Sequence, residues 1–498
     1  MEAIRFNNVV KKFGNFYANK NITFAVKKGE IHALLGENGA GKSTLMNILF
    51  GIYEKTSGEI YINEELTNIK NPNDAKKYNI GMVHQHFQLI ENFSVAENIY
   101  LGIEITKNGQ LSKEEMNSKV QEVIDKYHFK IKATDIVSNL SVGQQQKIEI
   151  LKMLFLNSEI LIFDEPTGAL TPQEINELLD IMNNLKNEGK TIILITHKLD
   201  EIQKVADRCT IIRKGETIKT VDVSEVDNNE LAYLMVGRKI NFDLEKLENN
   251  VYSNETILKI NNLSTNKIKN ISFELKKGEI LGIAGVDGNG QNELIDAILG
   301  YSKIKTGEVI FKGQKINNKK IREINDMNIG YIPQDRQKLG LVLDFDISQN
   351  AVLKNYYKKP YSNYGFLNEN AIAEYGKKII EKYDVRSKDG INSIVRGMSG
   401  GNQQKLIIGR ELEANPDLLV AMQPTRGVDI GAIENIHKQL LDERAKGKAI
   451  LLSSLELDEI LQLSDRIAVM YKGEIIDIVD AKYAKEEKIG LLMAGIKE

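Results

Sequence analysis

The chain has 498 residues, a length that exceeds one hydrophobic core and therefore predicts two or more domains. Hydrophobic residues make up 42% and charged residues 27% of the chain, and its net charge is −3, which excludes recruitment of the whole chain to nucleic acid or to an anionic membrane by charge alone. The single cysteine, Cys209, excludes an intramolecular disulfide, and its position in a predicted strand at 208–212 indicates a small core residue.

Membrane-spanning and export signals are missing from the sequence. No apolar run is long enough to span a bilayer, and the first residues lack the apolar stretch of a signal peptide. Lysine and arginine are spread along the chain rather than clustered. We therefore expect a cytoplasmic protein with no direct membrane insertion and no nucleic-acid partner.

A glycine-rich loop follows the apolar run 31–35, which is typical of a buried strand, and precedes a helical pattern. It fits the phosphate-binding pattern G-x-x-x-x-G-K-[ST] at every fixed position with Gly36, Glu37, Asn38, Gly39, Ala40, Gly41, Lys42, Ser43 and Thr44. The glycines allow backbone N–H groups to surround phosphate oxygens at the positive end of the helix. We expect Lys42 to reach the β- and γ-phosphates of ATP and Ser43 to hold Mg²⁺.

Three further segments supply groups that an ATPase requires. Gln85 is a candidate for sensing Mg²⁺ and the γ-phosphate. The apolar run 160–163 ends in Asp164, which is expected in the Mg²⁺ shell, and Glu165, which is expected to polarise the attacking water as general base. Another apolar run ends in His197, which we expect to contact the γ-phosphate and to help hold the water.

The second half of the chain repeats the first. Residues 22–30 match residues 271–279 at an offset of 249, and residues 141–207 match residues 399–465 at an offset of 258, so the second copy has gained nine residues between these blocks. Repeats of this length are whole domains. The predicted boundaries are a first domain at 1–238, a linker at 239–256 and a second domain at 257–498.

Each copy also contains a short motif that begins a helix. The two motifs are Leu140-Ser141-Val142-Gly143-Gln144-Gln145 and Met398-Ser399-Gly400-Gly401-Asn402-Gln403-Gln404. A serine-capped helix start describes both segments. They also resemble the signature motif of ABC transporter ATP-binding subunits, and the resemblance extends over essentially the whole chain.

The resemblance implies an α/β fold of two tandem P-loop NTPase domains. Each would have a mainly parallel sheet core, an antiparallel β subdomain and a helical signature subdomain. In the family, two such domains enclose two ATP molecules head to tail, which implies that Ser399, Gly400 and Gly401 complete the site of the first P-loop. Phe13 matches the adenine-stacking aromatic of the family, although a phenylalanine on an early strand also suits a core position.

The second copy departs from the family pattern where chemistry occurs. Gln291 and Asn292 replace the lysine and serine of the P-loop, Met422 and Gln423 replace the two carboxylates, and Leu455 replaces the histidine. The second copy also lacks the stacking aromatic. We therefore expect one competent composite ATP site and one degenerate, catalytically silent site.

A tandem subunit with a weakened second half resembles the ATPases of monosaccharide and nucleoside importers. The nucleoside, or basic-membrane-protein, branch is favoured by the resemblance of five short stretches, which are residues 84–87, 94–99, 140–143, 170–174 and 422–427. This implies ATP hydrolysis, with ATP and Mg²⁺, that drives nucleoside import. The implied partners are two membrane permease subunits and an extracytoplasmic substrate-binding lipoprotein, with this chain peripheral on the cytoplasmic face of the cell membrane.

Two alternatives stay open. The first is the ATPase of a monosaccharide importer of the ribose or galactose type. The second is a soluble tandem ABC protein that acts on ribosomes or DNA. The short linker and the loss of the ATPase residues from the second site disfavour this alternative. A generic P-loop kinase does not explain two signature helices.

Overall fold

The computed structural model divides the chain into two compact units, Met1–Ile240 and Asn241–Glu498. The residues that the structure describes are 1–37, 39–83, 88–107, 109–127, 129–167, 170–238, 252–428 and 430–496.

Three sheets form the β structure described in the first unit. Its strands are β1 (Glu2–Phe13), β2 (Phe16–Lys27), β3 (Ile31–Leu35), β4 (Ser57–Ile62), β5 (Glu65–Thr67), β6 (Ile80–Val83), β7 (Thr106–Lys107), β8 (Gln110–Leu111), β9 (Ile160–Asp164), β10 (Thr191–Ile195), β11 (Arg208–Arg213) and β12 (Glu216–Asp222). The large sheet has the order β12-β11-β3-β10-β9-β6 and is parallel except for β12. A second, antiparallel sheet has the order β2-β1-β4-β5, and β7 and β8 form a hairpin.

The central strands of the large sheet are short and wholly buried because both faces of the sheet are covered. Successive residues of β9 alternate between two apolar clusters: Leu161 and Phe163 join the cluster with the helices, whereas Ile160 and Ile162 join the cluster with the antiparallel sheet. Cys209 on β11 is also fully buried, which confirms its place in the core, and burial raises the pKa of its thiol to about 12.

The helices of the first unit lie between or after its strands along the chain. They are α1 (Lys42–Leu49), α2 (Pro72–Lys77), α3 (Val95–Tyr100), α4 (Lys113–Lys126), α5 (Val142–Phe155), α6 (Pro172–Asn187), α7 (Leu199–Val205) and α8 (Asn228–Val236). The local sequence explains where several of these helices begin. Helix α6, for example, starts with a proline and is capped by Thr171, whose hydroxyl accepts a hydrogen bond from the backbone N–H of Glu174.

The second unit repeats this architecture. Its strands are β13 (Thr256–Ser264), β14 (Ile271–Lys276), β15 (Ile280–Ala284), β16 (Thr306–Phe311), β17 (Gln314–Lys315), β18 (Ile329–Ile332), β19 (Ser362–Asn363), β20 (Phe366–Leu367), β21 (Leu418–Met422), β22 (Ala449–Ser453), β23 (Arg466–Tyr471) and β24 (Glu474–Asp480). Its helices are α9 (Gln291–Ile298), α10 (Ile321–Asp326), α11 (Ile347–Ala351), α12 (Glu369–Lys382), α13 (Gly400–Glu413), α14 (Ile430–Ala445), α15 (Leu457–Leu463) and α16 (Glu486–Met493).

The sheet orders of the second unit, β18-β21-β22-β15-β23-β24 and β14-β13-β16-β17, are those of the first unit. The predicted fold, with a mainly parallel core and an antiparallel β subdomain in each half, is therefore confirmed. Strand β13 begins at Thr256, the last residue of the predicted linker, whereas residues 239–251 lie outside the described residues. No described helix is both long and apolar enough to cross a membrane.

The nine extra residues of the second copy do not form one loop. Helix α3 begins at Val95 and its counterpart α11 at Ile347, an offset of 252. Helix α4 begins at Lys113 and its counterpart α12 at Glu369, an offset of 256. The first of these additions coincides with a single π-helical turn at Arg336–Gly340.

Candidate active site

The glycine-rich loop of the first unit joins the carboxyl end of β3 to α1. Gly41 caps α1 with a φ of 101°, and a Cβ there would lie 2.3 Å from the carbonyl oxygen of Ala18. A Cβ on Gly36 would lie 2.2 Å from the carbonyl oxygen of Ile212. Both positions therefore require glycine, and the loop lies close against the backbone around it.

Lys42 is buried inside this loop. Its Nζ donates hydrogen bonds to the carbonyl oxygens of Gly36, at 2.6 Å, and Glu37, at 3.1 Å. Burial lowers the pKa of Lys42, and the charges of Glu165, Asp164 and Glu37 oppose that shift. Because its hydrogen-bond partners are neutral carbonyls, this buried ammonium fits an anionic ligand such as a phosphate.

Ser43 and Asp164 meet where β9 ends beside the loop. The hydroxyl of Ser43 donates to Oδ1 of Asp164 at 3.2 Å. Burial raises the pKa of Asp164 to about 6. The described residues contain no cluster of three or more His, Cys, Asp or Glu side chains suited to a metal. One hydroxyl and one carboxylate suit Mg²⁺, which takes few protein ligands when substrate oxygens and water complete its shell.

Glu165 and His197 follow two neighbouring parallel strands, in which Asp164 is in register with Ile195. Glu165 has a left-handed backbone, with a φ of 47°, and its N–H donates to the carbonyl of Ile195 at 2.9 Å. Nδ1 of His197 lies 3.4 Å from Oε1 of Glu165. Burial raises the pKa of Glu165, but the neighbouring imidazole of His197 and the charge of Lys42 outweigh this effect, so the net pKa is lowered. An ionised carboxylate in this position can accept a proton from water.

A buried network behind these residues was not predicted from the sequence. Oε1 of Glu201 accepts from the hydroxyl of Thr167 at 2.5 Å, and Oε2 accepts from the hydroxyl of Thr196 at 2.9 Å. The network joins the segments after β9 and β10 and so positions Glu165 and His197. Its one sequence signal is a glutamate near the start of α7 on a face that the helix buries.

The structure brings most of the predicted residues of the first unit together at the carboxyl edge of the large sheet. These are Gly36, Glu37, Gly39, Ala40, Gly41, Lys42, Ser43, Thr44, Asp164, Glu165 and His197. Asn38 and Gln85, the latter predicted to sense Mg²⁺, lie outside the described residues.

Phe13 ends β1 and is 43% exposed, so the alternative of a core position is wrong. Its ring contacts Tyr53 edge to face, with the centroids 5.5 Å apart, and Nζ of Lys11 lies 4.7 Å from its centroid.

The second unit keeps the loop geometry without the lysine. Gly288 and Gly290 have φ values of 86° and 108°, against 81° and 101° for Gly39 and Gly41. Nε2 of Gln291 donates to the carbonyl of Val286 at 3.1 Å. A neutral amide therefore stands where the first unit places a buried ammonium.

The carboxyl edge of the large sheet in the second unit also differs in its side chains. The hydroxyl of Tyr331 donates to Sδ of Met422 at 3.8 Å, so a thioether in contact with a phenol takes the place of the Asp164 carboxylate. Glu293, beside the loop, pairs with Lys267 at 2.7 Å. Among the described residues of the second loop, none therefore offers an unpaired positive charge to a phosphate.

The two signature motifs begin long helices. The hydroxyl of Ser141 accepts from the N–H of Gln144 at 3.2 Å at the start of α5. The hydroxyl of Ser399 accepts from the N–H of Asn402 at 3.4 Å at the start of α13, where Gly400 and Gly401 form the first turn. Both serines are therefore helix caps.

Comparisons with known proteins match the whole chain. The profile of the ABC transporter family matches residues 19–168 and 268–426. The nucleoside import ATP-binding protein NupA of Lactococcus lactis subsp. cremoris (strain MG1363) is 48% identical over 99% of this chain and 98% of that protein. The guanosine import ATP-binding protein NupO of Bacillus subtilis (strain 168) is 51% identical over 99% of this chain and 97% of that protein.

A ribose import ATP-binding protein, RbsA of Clostridium tetani (strain Massachusetts / E88), is 37% identical over 98% of this chain and 96% of that protein. The predicted resemblance is thus confirmed by full-length relatives and by a family match in each half. The chain belongs to the ABC transporter ATP-binding proteins, with two ATP-binding cassettes in tandem.

Proposed function

We propose that this chain hydrolyses ATP to energise the import of nucleosides through an ABC transporter. The observation that carries the proposal is identity of about one half, over the full length, to two proteins named for nucleoside and guanosine import. The ribose importer relative is more distant, so a monosaccharide cargo is the second candidate.

The first unit would carry out the chemistry. Lys42 would hold the β- and γ-phosphates, and its burial strengthens that contact. Ser43, Asp164 and Gln85 would hold Mg²⁺, which when bound neutralises charge on the phosphate oxygens. Glu165 would accept a proton from the attacking water while His197, 3.4 Å away, keeps the carboxylate ionised.

Phe13 would stack on the adenine, because its ring is exposed at the end of a strand. From the family resemblance we propose that Ser399, Gly400 and Gly401 complete this site. The opposite site would combine the second P-loop with Ser141 and would be silent, because the loss of one electrostatic donor alone typically costs a factor of about 10² to 10³.

The partners that this function requires are two membrane permease subunits and an extracytoplasmic substrate-binding lipoprotein. The chain would then be peripheral on the cytoplasmic face of the cell membrane, without membrane insertion of its own and without nucleic acid. ATP-driven closure of the two domains would gate the permeases.

The test is uptake of labelled nucleosides and of labelled ribose by cells that lack the gene. We expect nucleoside uptake to be lost, to return with the wild-type gene and not to return with the Glu165→Gln variant. Normal nucleoside uptake together with lost ribose uptake would favour the monosaccharide candidate. Normal uptake of both, with the chain recovered on ribosomes, would exclude the importer function.

A further inference from the structure

A buried carboxylate in the first unit connects two loops of the catalytic edge. Glu201 lies on α7 and is 4% exposed. Its two oxygens each accept a hydrogen bond from a threonine hydroxyl, Oε1 from Thr167 and Oε2 from Thr196. Both threonines are themselves buried. One side chain therefore joins the segment that follows β9 to the segment that follows β10.

Each threonine lies next to a member of the proposed water-activating pair, Glu165 and His197. Thr167 comes two residues after Glu165, and Thr196 comes immediately before His197. The hydroxyl of Thr196 also accepts the backbone N–H of Lys198 at 3.0 Å, so the backbone is held on both sides of the histidine. These bonds therefore support both loops where Nδ1 of His197 lies 3.4 Å from Oε1 of Glu165.

The bonds to Glu201 are of a kind that holds a loop firmly. Hydrogen bonds to a carboxylate are stronger than those between neutral groups, and a buried hydroxyl that loses its partner is costly. Nζ of Lys198 lies 4.0 Å from Oε1 of Glu201, which places a positive charge near this carboxylate. Loss of the carboxylate would therefore release both loops together.

The second unit keeps these groups and connects them differently. At an offset of 258 it has Thr425, Ser454 and Glu459 in place of Thr167, Thr196 and Glu201. Glu459 is also 4% exposed, but its Oε1 lies 2.9 Å from Nε2 of His437. Its Oε2 is buried and has no hydrogen-bond partner among the described residues. The equivalent glutamate therefore contacts a helix and does not tie the loops.

His437 is the residue that distinguishes the two arrangements. It is buried on α14, whereas the first unit has the buried Leu179 at the equivalent position on α6. A leucine offers no polar group to the carboxylate, so Glu201 bonds to the threonines. The imidazole of His437 offers such a group, and Glu459 contacts it.

We propose that Glu201 is a positioning residue for ATP hydrolysis, and that His437 withdraws the equivalent glutamate from this role in the second unit. The inference rests on the proposed roles of Glu165 and His197 in the reaction. Misplacing a reacting group by about 1 Å can lower a rate by a factor of about 10². The second unit would then lack the support behind its loops as well as the catalytic side chains.

The test compares phosphate release in the reconstituted transporter with calorimetric ATP binding by the full-length chain. Glu201→Gln should lower kcat by about tenfold to a hundredfold and leave ATP affinity within about twofold, because the bonds of Glu201 align the water-activating pair and not the residues that hold the phosphates. Glu459→Gln is the matched control, since it removes an equally buried glutamate at the equivalent position. It should leave kcat and ATP affinity within about twofold.

Two results separate this inference from the proposed site. If Glu165→Gln stops hydrolysis while Glu201→Gln keeps full activity, or loses no more than Glu459→Gln, the positioning role is wrong and the site stands. If Glu165→Gln keeps half of the activity, the proposed base is wrong and the inference fails with it. Urea unfolding of each variant shows whether a loss of activity comes from loss of the folded unit, and a Glu201→Gln loss explained in that way would also overturn the positioning role.

The threonine hydroxyl allows a rescue experiment. Thr167→Val keeps the shape of the side chain and removes the hydroxyl, so kcat should fall by about tenfold. Thr167→Ser keeps the hydroxyl and should retain most of the activity. Equal activity of the two variants would contradict the role of this hydrogen bond.

A double-mutant cycle tests the role of the histidine. Leu179→His copies the second unit and should lower kcat in the wild-type chain. It should add little to the loss in Glu201→Gln, because both changes remove the same contact and their effects are then not additive. Additive losses, or full activity of Leu179→His, would overturn the role assigned to His437.

Discussion

Glu165 and Gln423 occupy equivalent positions in the two units and share the same left-handed backbone, with φ values of 47° and 45°. Their N–H groups donate to the equivalent carbonyls of Ile195, at 2.9 Å, and Ser453, at 2.6 Å. The strained turn thus persists in a unit that has no carboxylate there. The fold, and not the carboxylate side chain, therefore maintains this conformation.

Replacing Glu165 by glutamine should therefore stop ATP hydrolysis without unfolding the first unit. We expect kcat to fall by about 10² to 10⁴, because the general base is lost while the amide fits the same backbone. The measurement is phosphate release at saturating ATP in the reconstituted transporter. The reverse change, Gln423→Glu, should add no activity, because Met422 and Gln291 still stand where the first unit has a carboxylate and a lysine. If Glu165→Gln kept half of the activity, another group would have to be the base.

The two capping serines provide a matched pair for testing the single competent site. Ser399→Ala and Ser141→Ala each remove one helix cap, with a similar cost of about 1 kcal/mol. Hydrolysis should fall much more in Ser399→Ala, because this serine is proposed to complete the competent site. Steady-state ATPase of both variants in the reconstituted transporter decides the question, and equal losses would contradict the asymmetry.

Phe13 should contribute to ATP affinity and not to stability. Stacking on a base is worth about 1 to 3 kcal/mol, so Phe13→Ala should weaken ATP binding by about tenfold. Phe16→Ala is the control, since Phe16 is also exposed and lies in the same hairpin. Calorimetric titration with ATP measures both, and an equal effect of the two substitutions would argue against stacking.

A buried histidine should make the first unit sensitive to mild acid. His32 contacts Glu30 at 2.9 Å and Thr210 at 2.8 Å, whereas the second unit has Leu281 and Ala468 at the positions of His32 and Thr210. Burial lowers the pKa of His32, and the Glu30 carboxylate opposes that shift only in part.

Below a pH of about 6.5 the unfolded chain binds a proton at His32 that the folded unit resists, so stability should fall as pH falls through that window. Hydrogen-exchange protection of β3 and β11, corrected for intrinsic rates, should decrease from pH 7.5 to pH 5.5. The double substitution His32→Leu with Thr210→Ala, which copies the second unit, should reduce that decrease. An unchanged pH dependence in the double variant would assign the effect to other groups.

The sequence alone determined which segments of the first half carry the lysine, hydroxyl, carboxylates and histidine of a P-loop ATPase. Two α/β cassettes were predicted from the P-loop pattern, the short apolar runs and the repeat offset. A wholly buried parallel strand needs a continuous apolar run, and the residues that follow it lie at the carboxyl edge of the sheet. Lys42, Ser43, Asp164, Glu165 and His197 were therefore predictable. Their meeting at one edge follows from parallel register, which the structure has.

Only the tertiary structure decided which further side chains lie beside the loops and motifs of each unit. The contact of Glu201 with Thr167, that of Arg336 with Gly400 and that of Glu174 with Gly143 join segments far apart in the sequence. No local periodicity encodes such contacts, because they depend on how loops after separate strands pack together. The exposure of Phe13 was likewise undecided by sequence, since an aromatic at a strand end suits core and surface until the neighbouring sheet is in place.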